Sequence, residues 1–240
     1  IAQYFYAQRQ TQVMNEGCAT WVHYRIINEM FQRGQIGEGA LMEMLHSHTN
    51  VVSQPAFDAP NFGGVNPYAL GFNMMEDIVR VAENPTAEDK AWNPSLAGSG
   101  DGLKALKDAW ANYRDESFIR QFLSPRLIRK FKLFTLTNKA EDDFIRVDAI
   151  HDDRGYDKVR ESLAKMYDLS HVDPNIQVVD VDFKGDRALR LEHTIDDGVT
   201  LEPKSRDRVL SLIQRLWGYE VSLIGRERAS GARLYEAKAG

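Results

Sequence analysis

The sequence is poor in the features that mark secreted, membrane-spanning and nucleic-acid-binding proteins. It has one cysteine, Cys18, which cannot form an internal disulfide, so we expect a reducing, cytoplasmic environment. No apolar run approaches the ~18 residues that a membrane-spanning helix needs, and no signal peptide is visible. The formal net charge is −5, without a basic block, and this predicts no nucleic-acid partner.

The composition is that of a folded protein. Hydrophobic residues make up 43% of the 240 residues and charged residues 27%, enough for one large domain or two modest ones with a real core. The chain opens IAQYFYAQRQTQ, without an initiator methionine and in the middle of a pattern. We therefore expect it to be a piece of a longer protein.

Residues 1–130 are predicted to form an all-helical domain, because apolar residues recur at helical spacing between loops rich in proline and glycine. Ser124 followed by Pro125 is typical of a helix start, with serine as the N-cap. The predicted helices are Thr11–Arg33, Glu38–His48, Tyr68–Glu83, Gly102–Tyr113, Glu116–Leu123 and Pro125–Lys130.

Residues 131–240 change to a mixed pattern of strands and helices. The predicted strands are Phe131–Thr137, Asp143–Ile150, Ile176–Phe183, Ala188–His193 and a last one through Tyr219, Val221 and Leu223. One helix is capped by Asp152 or Asp153, and another runs from Pro203 to a C-cap at Gly218. In the predicted hairpin turn KGDR, Gly185 can adopt a positive φ.

From residue 143 the predicted order is β-α-β-β-α-β, which is that of a ferredoxin-like domain. The predicted fold class is therefore α+β, with an all-helical domain followed by a ferredoxin-like domain. The RNA-binding version of that fold places aromatic residues on its two central strands, whereas the first of these strands has Phe144 alone. A regulatory or interaction module that binds a protein partner is the favoured interpretation.

Glu16 and His23 share one face of the first long helix, because at about 100° per residue they fall within about 20° of each other. The helix is apolar nearly all round, which predicts that both lie in the protein interior. Three interpretations remain open: the two side chains bond to neighbouring groups, ligate a metal, or act as acid and base beside a substrate. Gly17 costs about 1 kcal/mol in mid-helix, which indicates that another backbone or a ligand comes close.

The sequence HSHTN, residues 46–50, is the other concentration of imidazole. His46 and His48 would share a face on a strand and diverge by about 200° on a helix, and either geometry is open at the end of a helical pattern. Metal or substrate contact competes here with a plain C-terminal capping role. With Glu16, His23 and Asn50, these histidines form the candidate polar pocket.

For two further groups of polar residues, a structural role is the favoured interpretation. His193 would share a strand face with Leu189 and Leu191, which is typical of a core histidine with its hydrogen bonds satisfied. Asp180 and Asp182 could bind a cation, but a solvated pair at a sheet edge is the commoner arrangement.

Several blocks together resemble the stage V sporulation protein R (SpoVR) family of bacteria. They are FYAQRQTQVMNEGCATWVHY, LHSHTNVVSQP, NPYALGF, DESFIRQFLSP, AIHDDRGY and YDLSHVDPNIQVVDVDFKGDRALRLEH. Family members are about twice as long, and the chain resembles their C-terminal half, which implies a missing N-terminal half. The family is named for a role in forming the spore cortex, a peptidoglycan layer, but also occurs in bacteria that do not sporulate.

The resemblance also suggests a metal. The NEGxA block is similar to the helix that supplies the glutamate ligand in gluzincin metallopeptidases, which implies that Glu16 is a zinc ligand. The first two ligands would then lie in the missing half. The family's upstream motif lacks the catalytic glutamate of a true zincin, and this argues against peptidase chemistry.

Two hypotheses follow. In the first, the protein acts in cell-envelope or spore-cortex assembly, with a pocket that holds a divalent metal such as zinc through Glu16, His46 and His48. In the second, it is a non-enzymatic scaffold or regulatory module, and the ferredoxin-like part binds a partner protein.

Overall fold

The computed structural model describes residues 2–134, 136–137, 146–147, 152–169, 173–196 and 198–240. The chain divides into two compact units, Ile1–Asp168 and Leu169–Gly240. The first unit is mainly helical and the second is a four-stranded sheet with a helix. The predicted α+β class, with the helical part first, is confirmed at this level.

The first unit is built around α4, whose buried side chains include Leu70, Met74 and Ile78. Short helices α1 and α5 were not predicted, whereas the others match the expected helices to within a few residues. The helices are α1 Ala2–Arg9, α2 Gln12–Gln32, α3 Glu38–Val51, α4 Pro67–Glu83, α5 Ala87–Trp92, α6 Gly102–Asn112, α7 Asp115–Phe122, α8 Pro125–Lys130 and α9 Asp153–Tyr167.

Side-chain caps fix several helix starts. The Ser124 hydroxyl accepts a hydrogen bond from the backbone N–H of Leu127 at 3.1 Å, as the serine–proline pair predicts. Asp152 accepts one from Gly155 at 2.8 Å, which confirms Asp152 as the cap of α9. These bonds satisfy amides that have no partner inside their own helix.

Helices α2 and α4 touch through their backbones at Gly17 and Gly71. A Cβ built on Gly17 would lie 2.5 Å from the carbonyl carbon of Gly71, and one built on Gly71 would lie 2.2 Å from the carbonyl oxygen of Val13. No side chain fits in either place, which explains a glycine in mid-helix despite its conformational cost. The prediction that another backbone approaches Gly17 is confirmed.

Asp115 caps α2 from a distant part of the chain. The backbone N–H groups of Val13 and Met14 donate to its carboxylate at 2.8 and 2.9 Å, while Thr11, the N-cap residue, makes no side-chain cap bond. The Asp115 side chain is fully buried. Burial raises its pKa from 3.8 to about 6, although the hydrogen bonds from α2 act in the opposite direction.

The second unit contains β3 Asn175–Val181, β4 Leu189–Ile195, α10 Pro203–Trp217, β5 Val221–Glu227 and β6 Arg233–Ala239. The strands lie in sequence order across the sheet. Strands β4 and β5 are parallel, joined through α10, and the outer pairs are antiparallel. Gly218 ends α10 with φ of 85°, as predicted.

The ferredoxin-like order is not confirmed. Of the two strands predicted before α9, only Leu136–Thr137 (β1) and Arg146–Val147 (β2) are strands in the described residues, and they pair with each other rather than with the four-stranded sheet. The rest of Asp143–Ile150 lies outside the described residues. The final strand β6 was not predicted.

Helix α9 explains the difference in domain boundary. Its apolar residues Tyr156, Val159 and Leu163 belong to the core of the first unit, where α9 packs against α7. The compact units therefore divide after Asp168, whereas the sequence-based boundary lies between residues 130 and 131. An apolar stripe predicts that a helix buries one face, but the stripe does not identify the element that covers it.

The turn between β3 and β4 differs from the prediction in the residue that has a positive φ. Arg187, with φ of 57°, adopts the left-handed conformation, whereas Gly185 does not. The Asp182 carboxylate accepts hydrogen bonds from the backbone N–H groups of Lys184 and Gly185, at 3.2 and 2.7 Å. Gly185 is thus used for this close approach, since a Cβ there would lie 2.1 Å from an Asp182 oxygen.

The glycine contact predicts a large difference between two alanine substitutions. Gly17→Ala should lower the free energy of unfolding by roughly 1–3 kcal/mol, because α2 and α4 must separate to admit the methyl group. Gly39→Ala in α3 is the control: no atom lies within 4 Å of its added Cβ, so stability should be unchanged or slightly higher. Urea unfolding of both variants measures the difference, and equal effects would contradict the contact.

Asp115 predicts a pH dependence of stability. The folded state binds the proton more tightly than the unfolded state, so the free energy of unfolding should fall as pH rises from about 4 to about 6 and then level off. Because one pKa unit is worth about 1.4 kcal/mol, the fall should be roughly 2–3 kcal/mol. Asp115→Asn keeps an oxygen acceptor and removes the titration. Urea unfolding across this range should give a flatter curve for the variant, and parallel curves would refute the assignment.

Candidate functional site

The candidate site lies where α2, α3 and α4 meet. Helix α3 continues through the whole HSHTN sequence, so His46 and His48 point in directions about 200° apart. His48 is buried, with 7% of its surface exposed, whereas His46 and Asn50 are exposed. The structure therefore does not bring His46 and Asn50 together with His48.

His48 is surrounded by three aromatic rings from the other two helices. It stacks with His23 of α2, with ring centroids 6.0 Å apart and planes 23° from parallel. Tyr24 of α2 lies at 5.4 Å, and Phe72 of α4 contacts the ring edge-on at 4.9 Å. One member of the predicted pocket, His23, is thus next to His48.

The imidazole of His48 has an unusual electrostatic environment. Burial lowers its pKa, and the neighbouring His23 lowers it further because two positive charges would repel each other. Its Nε2 atom is buried and has no hydrogen-bond partner among the described residues. A buried polar atom without a partner is costly, and a neutral imidazole with a free nitrogen can accept a proton or bind a metal.

Glu16 and His23 do not occupy the predicted interior position. Glu16 is half-buried and His23 is exposed, because α2 packs on α4 through the side that carries Val13 and Gly17. The Glu16 carboxylate accepts a hydrogen bond from the Tyr68 hydroxyl of α4, and this bond raises the pKa of Tyr68. Glu16 therefore has a partner within the chain.

The geometry of the described residues supports the predicted metal site only in part. Among the described residues, no group of three or more histidine, cysteine, aspartate or glutamate side chains is placed to hold an ion. His23 and His48 are the two nearest imidazoles, and Glu16 is bonded to Tyr68. At most, the described residues supply part of a metal site.

The other polar residues have structural roles. Cys18 is half-buried, and burial raises the pKa of its thiol, so it is not an activated thiolate. The prediction that His193 is a satisfied core histidine is confirmed: it is buried and its Nδ1 lies 2.8 Å from the Tyr235 hydroxyl. Asp180 pairs with Arg190 on the exposed face of β3 and β4.

The sequence analysis missed Tyr24, Tyr68 and Phe72. Helical angles place Tyr24 on the other side of α2 from His23, so intrahelical geometry alone separates two residues that both reach His48. Tyr68 and Phe72 lie in the block NPYALGF, on either side of Gly71. Gly71 is a second glycine inside an apolar helix, and this pattern indicates that the block packs closely against another helix.

Comparison with known proteins identifies the family. A family model described as "SpoVR like protein" matches residues 1–172, and one described as "SpoVR-like C-terminal domain" matches residues 174–228. The chain belongs to the SpoVR family. No solved structure matches this SpoVR-family chain.

One curated relative is the "Uncharacterized protein YcgB" of Escherichia coli (strain K12). It is 45% identical to this SpoVR-family chain over 236 residues, which is 98% of the chain and 46% of the relative. The chain thus spans about half the length of that relative. The family matches cover nearly all of this chain. In the part of the chain that the structure describes, no helix is long and apolar enough to cross a membrane.

The environment of His48 predicts how it titrates. In the wild-type protein, the pKa of His48 should lie below its ordinary value of 6.5. His23→Ala should raise the pKa, because it removes the neighbouring positive charge and admits water. His46→Ala, an exposed position on the same helix, should leave the pKa unchanged. NMR chemical shifts of the imidazole protons, followed against pH, give the pKa of His48 in the wild type and in both variants. If the pKa of His48 is the same in His23→Ala as in the wild type, the two imidazoles are not coupled.

Proposed function

We propose that this SpoVR-family protein acts in assembly of the cell envelope or spore cortex, and that its helical unit supplies His23 and His48 as ligands of a divalent metal such as zinc. The observation that carries the metal proposal is the buried Nε2 of His48, which has no partner among the described residues and lies beside a second imidazole. The cellular role is supported by the family assignment.

The chemistry of the pair fits a borderline-soft ion. Burial keeps His48 neutral near pH 7, and neutral imidazole is the form that binds metals. An ion about 2 Å from an imidazole nitrogen lies roughly 3 Å from the ring centroid, so two rings on one ion have centroids at most about 6.5 Å apart. The observed 6.0 Å is within that limit, but the rings are stacked with planes 23° from parallel, so one ring has to turn before both nitrogens can face the same ion.

The remaining ligands would come from outside this pair. A structural zinc site has four ligands and a catalytic site has three plus water, so two imidazoles form half a site. His23 is exposed, which leaves one side accessible to water, a substrate group or another polypeptide segment. The Glu16 carboxylate already accepts a hydrogen bond from Tyr68, and His46 points away. When bound, such an ion would act as a Lewis acid.

A scaffold function is the alternative, and a feature of the second unit favours it. Strand β3 is an edge strand of the four-stranded sheet and carries exposed apolar side chains, with Val178 60% and Val179 55% exposed. Phe183, just beyond the strand, is 75% exposed. An apolar edge strand is a site where another chain can pair.

Zinc titration separates the two functions. Calorimetry at pH 7.5 on metal-free protein without an affinity tag should show one ion per chain. His23→Ala and His48→Ala should each weaken binding about tenfold or more, since each removes one of two ligands. His46→Ala is the matched control and should bind as the wild type does. Equal binding by all four proteins, or an equal loss in His46→Ala, would refute the metal site and favour the scaffold.

The cellular half of the proposal has its own test. Cells that carry His48→Ala should show the same envelope or cortex defect as cells without the gene, provided that thermal unfolding shows the variant to be folded. A folded variant that restores the wild-type envelope would separate His48 from the cellular role.

A further inference from the structure

A cavity in the helical unit has five phenylalanines among its lining residues. It has a volume of about 720 Å³, within the range of small-molecule sites, and lies between residues 52–65, α4 and residues 130–134. Its aromatic walls are Phe57, Phe62, Phe72, Phe131 and Phe134. This cavity is distinct from the His23–His48 pair, although Phe72 contacts both.

The loop over this cavity is held at its base by hydrogen bonds. Gln54 donates to the carbonyl of Gly64 at 3.1 Å and accepts from the backbone N–H of Asn66 at 2.7 Å. The Asn66 amide donates to the carbonyls of Val51 and Ser53, both at 2.9 Å. Because both ends are tied to the start of α4, the loop carries Phe57 and Phe62 in fixed positions and the cavity is largely preformed.

The aromatic rings leave an irregular apolar space. Phe57 packs edge-on against Phe62 and Phe134, with centroids 5.2 and 5.1 Å apart and planes 61° and 69° from parallel. Such packing provides no pair of parallel ring faces between which a flat aromatic ligand could insert. A flexible acyl chain can follow this surface.

The charged groups of the cavity favour an anion. Lys130 and Lys132 flank Phe131, and one acidic residue, Asp58, also lines the cavity. Lys130 donates from Nζ to the Asn73 side chain at 2.6 Å, a bond that leaves its charge uncompensated. Lys132 is exposed and makes no ion pair with any residue that the structure describes. The lining thus carries one net positive charge.

We propose that this cavity binds a fatty-acid carboxylate, with an acyl chain of about the length of laurate, as a free monomer. The acyl chain lies among the phenylalanine rings, and the carboxylate interacts with Lys132 and Lys130. The proposal depends on neither the metal nor the cellular role above.

Competition between a fatty acid and the alcohol of the same chain length tests whether the cavity recognises the charged carboxylate. The fluorescent probe 11-(dansylamino)undecanoate should bind saturably, one per chain, and laurate should displace it at least fivefold more effectively than dodecanol. Lys132→Met keeps a four-atom apolar stem but removes the ammonium group, and it should weaken laurate binding several-fold while leaving dodecanol unchanged. Lys107→Met, an exposed position on α6, is the control and should change neither.

The apolar wall is tested by Phe57→Ala. Phe57 is 58% exposed, so its loss should leave thermal unfolding nearly unchanged while weakening laurate and dodecanol alike. Three outcomes would overturn the proposal: more than one probe per chain, equal displacement by laurate and dodecanol in the wild type, or binding only to anionic vesicles and not to monomeric probe.

Discussion

The helical unit depends on the backbone contact between Gly17 of α2 and Gly71 of α4. With no side chain between them, the two helices approach closely enough for the residues next to the contact to meet. Phe72 directly follows Gly71, and it reaches both Tyr24 and His48. The contact therefore sets the spacing in which a buried histidine lies among aromatic rings.

Sequence patterns predicted the local structure well and its long-range partners poorly. Caps such as Ser124 and Asp152 act on amides three residues away, so their effect is visible in the sequence. Gly17 could be recognised as a contact position because a glycine in mid-helix lowers stability, which close packing against another backbone explains. By contrast, the partner of α9 depends on which apolar surface is free, and the ferredoxin-like order is not confirmed there. The neighbours of His48 come from two other helices, and periodicity within one helix cannot supply them.

The histidine pair and the phenylalanine-lined cavity share one side chain. Phe72 contacts His48 edge-on and also forms part of the cavity wall. Protein interiors are close-packed, so a ring held between two neighbours transmits displacement from one to the other. The residue that forms part of the cavity wall is thus also a direct neighbour of His48.

The cap on α2 also bears on how the protein is made. The carboxylate that accepts from the amides of Val13 and Met14 belongs to Asp115, 102 and 101 positions further along the chain. A ribosome releases α2 well before α7, so the start of α2 stays open to water while the intervening helices emerge. The longest helix of this unit is thus capped by a residue more than 100 positions later, so a chain that ends upstream of Asp115 leaves the start of α2 uncapped.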